Sequence, residues 1–386
     1  MPLVVICGPV ANKPFNGGAA WTRLSWALGF RELGWKVFLL ECIAAEACVD
    51  ATGTTVPIEE SVNLAFFRHV VRFGGLQGSA ALVRDDGSSA CGAPMHELLQ
   101  IAESADLLIN ISGHLTGHPL FNRFRRRVFL DLDPGFTQLW HAAGVLPALN
   151  DHHFFFTVGE NIGTADCSIP TCGIDWQAIR QPVVLDDWPV CDPHGLEHFT
   201  TVASWRGPYG PIQHNGVTLG PKVHEFRKFI TLPERAVGSF ELALDIHPGD
   251  GKDLALLHQH GWHIREPRSV AGTPELFRTY IHASDAEFSV AQGMYVHTNS
   301  GWFSDRTVRY LASGKPSLVQ DTGFTGRYPS GTGLVSFATL DEAVDGAEFL
   351  RRDYKRHARA ARALAEEHFA APKVLGGLLN RLDFAS

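Results

Sequence analysis

A short β-branched run at residues 2–7 leads into a glycine-bearing polar stretch at 8–18 and then an apolar-periodic stretch at 19–33 that Gly34 closes. The pattern predicts strand, loop and helix, and a further apolar run at 36–41 completes a βαβ unit with a parallel pair. Runs at 65–71, 107–111 and 127–132 read as further strands, with a helix at 95–103 between them, so this half is predicted to be a doubly wound sheet. From 169 to 193 the period is lost, and Pro170, Pro182, Pro189 and Pro193 stand among acidic and aromatic residues. That texture predicts a crossing between domains. Alternation then resumes, with strands expected at 199–203, 240–246, 286–290 and 316–320 and helices at 222–230, 253–260 and 305–313. Two helical stretches rich in Ala, Arg and Glu, 340–369 and 373–382, end the chain. The fold class expected is α/β, two doubly wound Rossmann-like domains facing across a cleft at the carboxyl ends of their strands.

Composition agrees. The 386 residues exceed what one core usually supports, and 45% hydrophobic with 19% charged residues is an ordinary globular balance. A formal net charge of −8 disfavours nucleic acid as a partner, though it leaves room for a local basic groove. The one dense basic run, Arg123, Arg125, Arg126 and Arg127, reads as a solvated loop or as a binding patch. No apolar run approaches the roughly 20 residues that span a bilayer, and the N-terminus lacks the flanks of a signal peptide. Seven scattered cysteines make no disulfide framework, and the close pairs Cys42/Cys48 and Cys167/Cys172 lack the second half of a zinc site. A reducing cytoplasm with no metal and no cofactor is the expectation.

The strongest local signal is Thr298-Asn299-Ser300-Gly301-Trp302-Phe303-Ser304-Asp305-Arg306, a loop leading into the helix at 305–313. Free amides at a helix N-terminus beside small residues suit a phosphate. Arg306 can add charge-assisted bonds, and Trp302 or Phe303 can stack on a base or sugar. The same residues also make an ordinary helix start, with Ser304 as N-cap and the aromatics in the core. In the first half Gly17 and Gly18 sit in a loop without the G-x-G-x-x-G spacing of a nicotinamide site. His114 follows the strand at 107–111 and is a candidate general base; Asp133, ending the next strand, is a second candidate or a partner for His114. With 19 histidines in the chain, position rather than residue type carries that reading. Glu160 is a third polar residue at a strand end.

The segment from Gly301 to Pro316, continued by Ser317-Leu318-Val319-Gln320-Asp321-Thr322-Gly323-Phe324, resembles the donor-site strand, loop and helix of glycosyltransferases with the GT-B fold, family 4 especially. Its ending, Leu311-Ala312-Ser313-Gly314-Lys315-Pro316, matches that family's pattern of small residues before Gly-Lys/Arg-Pro. The family's acidic pair eight residues apart is missing, with Gly301 and Arg309 in its place, so Asp305 and Arg306 are the residues left to supply polar contacts. The resemblance covers the second half well and the first in architecture only. It implies an acceptor-side domain at 1–190 joined by a returning helix at 370–386, and a donor-side domain at 191–369. It implies too that Arg206 and Lys222 hold the donor diphosphate without metal, and that Gly17 and Gly18 allow close backbone approach. The activity expected is transfer of a hexosyl or pentosyl group from a nucleotide diphosphate sugar to an acceptor hydroxyl on a small molecule or glycan. The alternatives are a nucleotide-sugar epimerase or hydrolase, and a catalytically silent nucleotide-sugar-binding protein.

Overall fold

In a computed structural model, which describes residues 1–146, 149–191, 195–207 and 209–384, the chain forms two sheets with helices packed against them. The last residues of the expected crossing, Asp192 and Pro193, and the terminal Ala385 and Ser386 lie outside the described residues.

The first sheet contains β1 (Leu3–Cys7), β2 (Lys36–Ile43), β3 (Ala80–Arg84), β4 (Ser89–Cys91), β5 (Leu107–Ile111), β6 (Arg127–Asp131), β7 (Phe154–Thr157) and β8 (Trp176–Ala178). Its order is β4-β3-β2-β1-β5-β6-β7-β8, parallel apart from the β3–β4 edge pair. Central strands are covered on both faces, which is why Val4, Val5, Ile6 and Cys7 form an unbroken apolar run. The helix Gly17–Glu32 starts where Asn16 Oδ1 accepts the Ala19 N–H at 2.9 Å and stops before Gly34, whose φ is +80°.

Residues 65–71 are not a strand; they belong to the helix Val62–Phe73. Ser61 caps it by accepting the Leu64 N–H, and Leu64, Phe67 and Val70 fall three apart on its buried face. The paired Phe66-Phe67 and Val70-Val71 imitate a strand, but their burial follows the helical period. Strand β8 lies inside the stretch expected to be a featureless crossing, where it forms the sheet edge against β7.

The second sheet holds β9 (His198–Ser204), β12 (Ser239–Asp245), β13 (Trp262–Arg265), β14 (Ala286–Ser289), β15 (Ser317–Gln320) and β16 (Leu334–Phe337), all parallel in the order β13-β12-β9-β14-β15-β16. A separate hairpin, β10 (Ile212–His214) with β11 (Val217–Leu219), projects from it. The helix expected at 222–230 is shorter, Lys222–Phe226, and continues as a 3-10 turn, Arg227–Phe229. The stretch 340–369 divides at Asp353, whose φ of −137° and ψ of 53° end one helix, Leu340–Arg352, before the next, Tyr354–His368, begins.

Among the contacts that bring the sheets into one body, two involve the helix Gly17–Glu32. The last helix, Ala371–Arg381, lies on Gly17–Glu32, where Gly29 has no Cβ to meet Ala371 and Leu375. The start of Gly17–Glu32 in turn abuts the second sheet's helix Pro274–Ala283: Trp21 Nε1 donates to the Pro274 carbonyl at 2.8 Å, and Gly17 faces the Ala271 and Thr273 carbonyls.

Three of the four arginines in the basic run are engaged by the protein, and Arg125 is exposed. Arg123 pairs with Glu103, Arg126 donates to the Leu382 carbonyl, and Arg127 donates to the Asp151 and Phe124 carbonyls. No helix is long and apolar enough to cross a membrane, and no disulfide forms among the described residues.

Candidate active site

A cavity of about 820 Å³ opens between the two sheets at the carboxyl ends of their strands. From the first sheet it is bordered by the loop after β1 (Lys13 to Asn16), the start of Gly17–Glu32 and Asp133 beyond β6. From the second it is bordered by the ends of β9, β12 and β13 and by the start of the helix Asp305–Ala312.

On the second-sheet wall Ser304 caps Asp305–Ala312 by accepting the Arg306 N–H at 3.2 Å. Arg306 is fixed by three bonds, from Nε to Glu287 Oε1 (2.7 Å), Nη1 to the Val202 carbonyl (2.8 Å) and Nη2 to Ser289 Oγ (2.6 Å). Lys222 borders the cavity and makes no hydrogen bond or ion pair among the described residues. Burial, with the Arg306 charge beside it, pushes its ammonium down to about 7. Asp305 accepts from Thr22 Oγ1 of the first domain and from Arg309 Nη1, both at 2.7 Å. Burial alone would raise its carboxyl, but the Arg309 charge and the Thr22 hydrogen bond outweigh it and hold it below the usual range. Arg309, at the second missing glutamate's place, is therefore the ion-pair partner of Asp305.

The rest of the loop turns away from the cavity. Gly301 (φ +71°) donates its N–H to the Thr322 carbonyl at 2.7 Å, and an added Cβ would stand 2.8 Å from Asn161. Asn161 also bonds the Asn299 and Ser300 carbonyls, tying this loop to the first domain. Ser300 Oγ accepts the Trp302 N–H, and Phe303 stacks on Phe369 inside the core. Trp302 does border the cavity, stacked on Tyr295 with centroids 4.4 Å apart. Arg206 lies apart, its guanidinium on Asp250. Gly18 borders the cavity; Gly17 does not, and faces the other domain's backbone instead.

Asp133 borders the cavity and accepts from Tyr209 Oη at 3.3 Å, while His114 does not border it. Burial, reinforced by Arg23 and Lys13, lowers His114 to about 3, which leaves a neutral imidazole with little affinity for a proton. Burial raises Asp133 against the opposing charges of Lys13 and Arg23. Glu160 pairs with Arg180 at 3.3 Å outside the cavity.

Sequence reasoning passed over Lys13, Arg23 and Tyr209. Arg23 did leave a signal, a lone cation within the apolar run of a helix that is buried almost all round. Beneath it Glu41, wholly buried, accepts the Ala11 and Asn12 N–H groups at 2.6 and 2.8 Å and so sets the loop carrying Lys13; burial pushes this carboxyl to about 7 against those two bonds. No group of three or more His, Cys, Asp or Glu side chains is placed to hold a metal among the described residues.

No family model matches the chain's sequence, and no curated protein matches it. Solved structures match over the full length. HepE of Anabaena, in complex with UDP-glucose, is 13% identical with a TM-score of 0.60, covering 99% of both chains. An alpha-glucosyltransferase in complex with UDP and a 13-mer DNA is 10% identical with a TM-score of 0.61, covering 100% of this chain and 99% of that one. Sucrose-phosphate synthase from Thermosynechococcus elongatus is 11% identical with a TM-score of 0.55, covering 99% of both. At such identities the likeness establishes the fold, which is GT-B.

Proposed function

We propose that the chain is a glycosyltransferase that moves a sugar from a nucleotide diphosphate sugar to an acceptor hydroxyl, without a metal, and that it stands nearest family 4 through its Ala312-Ser313-Gly314-Lys315-Pro316 ending. The observation that carries this reading is Lys222: an ammonium without an anionic partner, facing an interdomain cleft beside Arg306 and a capped helix N-terminus. A diphosphate supplies the partner that Lys222 and the helix amides lack, while Arg306 stays on Glu287. In this reading the site lies between two domains, residues 191–369 on the donor side and residues 1–190 with 370–386 on the acceptor side, an arrangement the GT-B fold supports. Since HepE and the alpha-glucosyltransferase were solved with uridine nucleotides, UDP-glucose is the first donor to try. A small molecule or glycan fits as acceptor better than duplex DNA, given the net charge of −8 and the local use of the arginine run. A cytoplasmic location accords with seven cysteines and no disulfide among the described residues.

In this reading the acceptor oxygen bonds to the anomeric carbon, and the bond from that carbon to the diphosphate breaks with its electron pair on the leaving phosphate. The hydroxyl proton passes to Asp133, which borders the cleft, rather than to His114, which does not. Lys222 and the amides at the capped start of Asp305–Ala312 stabilise the charge that develops on the diphosphate, and closure around both substrates keeps water from competing.

Calorimetry of UDP-glucose with and without a chelator tests donor binding; affinity that disappears with the chelator would refute metal independence. Product NMR then tests the base. An inverted anomer, lost in Asp133→Asn and kept in His114→Gln, supports Asp133; a retained anomer would rule it out as base. Binding with no transfer to any acceptor would leave a silent binding protein.

A further inference from the structure

The first-domain wall of the cleft carries two cations that no carboxylate pairs with among the described residues. Arg23 is 6% exposed and borders the cavity. Of its five N–H donors only Nη1 is used, on the Ala19 carbonyl at 3.1 Å; Nε is shielded from solvent with no partner, and Nη2 has none among the described residues. A buried guanidinium left so short of acceptors is costly in a finished site. Lys13 borders the same space, again with no hydrogen bond or ion pair among the described residues, and Glu41 holds its loop in place.

The carboxylates that face these cations are Asp133 and Asp305, with Glu41 also near Arg23 but already accepting the Ala11 and Asn12 N–H groups. Asp305 is taken up by Arg309 and Thr22. Asp133 accepts from Tyr209 and comes within ion-pair distance of neither cation. Two cations thus face one uncommitted carboxylate. Burial lowers both Arg23 and Lys13, and Arg23 adds to the lowering at Lys13, so the geometric deficit is also an electrostatic one. The donor diphosphate does not need them, because Lys222 and the capped start of Asp305–Ala312 stand on the opposite wall.

We propose that the acceptor carries an oxyanion, a phosphate or a carboxylate, held by Lys13 and Arg23 so that its hydroxyl is presented to the donor. The proposal rests on the glycosyltransferase reading for its division of the cleft. Anchoring the acceptor by its charge leaves Asp133, on the same wall, free to receive the hydroxyl proton. An anion between the cations also relieves their pull on Asp133 and makes that carboxylate a stronger base once the acceptor is in place.

The test uses the full chain saturated with UDP, so that failure of UDP to bind exposes failure of the parent reading separately. Inorganic phosphate, then acetate, is titrated into the UDP complex and followed by calorimetry. The expected result is one further bound anion, weakened about tenfold or more in Lys13→Gln and in Arg23→Gln, with the affinity for UDP unchanged. Whichever of phosphate or acetate binds more tightly names the acceptor's charged group. Arg23 is buried, so its variant is checked by its melting curve; Lys13 sits on a loop with much of the residue exposed and only its ammonium drawn into the cleft, and it decides the matter alone if Arg23→Gln does not fold. Equal anion binding in wild type and Lys13→Gln, or loss of UDP affinity in place of anion affinity, overturns the proposal.

Discussion

The ammonium of Lys222, pushed to about 7 by burial and by Arg306, makes donor affinity depend on pH in a calculable way. A diphosphate at this position supplies the missing counter-charge and returns the amine toward its ordinary value of about 10.4. Binding then takes up a proton wherever the free protein has lost it. Affinity is full below pH 7 and falls as pH rises through 7, by up to about tenfold per unit until the amine of the complex also titrates. Between pH 6.5 and 9, with the amine of the complex near 10, Kd rises on the order of 70-fold. In the free protein the sign is opposite. The unfolded chain holds the proton that the folded one has shed, so stability grows as pH rises from 7 toward 10.

UDP-glucose suits this measurement better than UDP, whose terminal phosphate titrates near pH 6 in its own right. Calorimetry in two buffers of different ionisation enthalpy at pH 8 reads the proton uptake directly, and nearly one proton per donor is expected. Lys222→Met should weaken binding at pH 6.5 and flatten the profile, whereas Lys222→Arg should keep a charge that does not titrate and flatten the profile alone. A wild-type Kd that is constant from pH 6.5 to 9, or a slope that survives in Lys222→Arg, would refute both the placement of the diphosphate and the cause given for the lowered amine.

Two further predictions concern the contacts that hold the cleft. Gly17→Ala forces a Cβ onto the Thr273 carbonyl and to 2.7 Å from that of Ala271, backbone that cannot swing aside, so it should destabilise by about 1–3 kcal/mol in urea unfolding. Gly18→Ala meets a ring edge of Phe277 at 3.1 Å and should cost less; a reversed order would argue against a rigid domain contact there. At the Asp305–Arg309 pair, Asp305→Ala leaves a 2% exposed guanidinium without its partner and should cost about 3–5 kcal/mol, while Arg309→Met, which removes the buried charge, should cost clearly less. Equal losses in the two unfolding curves would show that burial of the arginine is not what makes the pair matter.

Much of the fold is legible in the chain because its central strands and long helices announce themselves. The runs at 2–7, 107–111 and 286–290 are strands because both faces of a parallel sheet are covered, and Asn16 and Gly34 mark the ends of the first long helix. Edge elements are less legible. Strands β4 and β8 have three residues each, too few for a period to register, and β8 sits among prolines that argue for irregular chain. The helix Val62–Phe73 was obscured by doubled Phe and Val residues, and the Ser61 cap was the signal that settles it.

The site was legible at one level and not at another. That a phosphate-suited helix start borders the cleft follows from Ser304, Asp305 and the pattern leading to Pro316, all local in sequence. Which charges remain free to meet a ligand does not follow, because each cation's availability is decided by a partner far along the chain. Arg206 is engaged by Asp250, Arg306 by Glu287 and Arg309 by Asp305, whereas Lys222, Lys13 and Arg23 keep their charge for the cleft. The glycines follow the same logic: Gly17 and Gly301 each make room for backbone or side chain from the other domain. Residue type and loop position say that a charge or a gap is present; only the packing of one domain on the other says whether substrate or protein fills it. On this chain that packing leaves Lys222 on the second-sheet wall and Lys13 with Arg23 on the first-sheet wall, two separate demands for negative charge across one cleft. On the proposed reading a donor diphosphate answers the first, and an anionic acceptor the second.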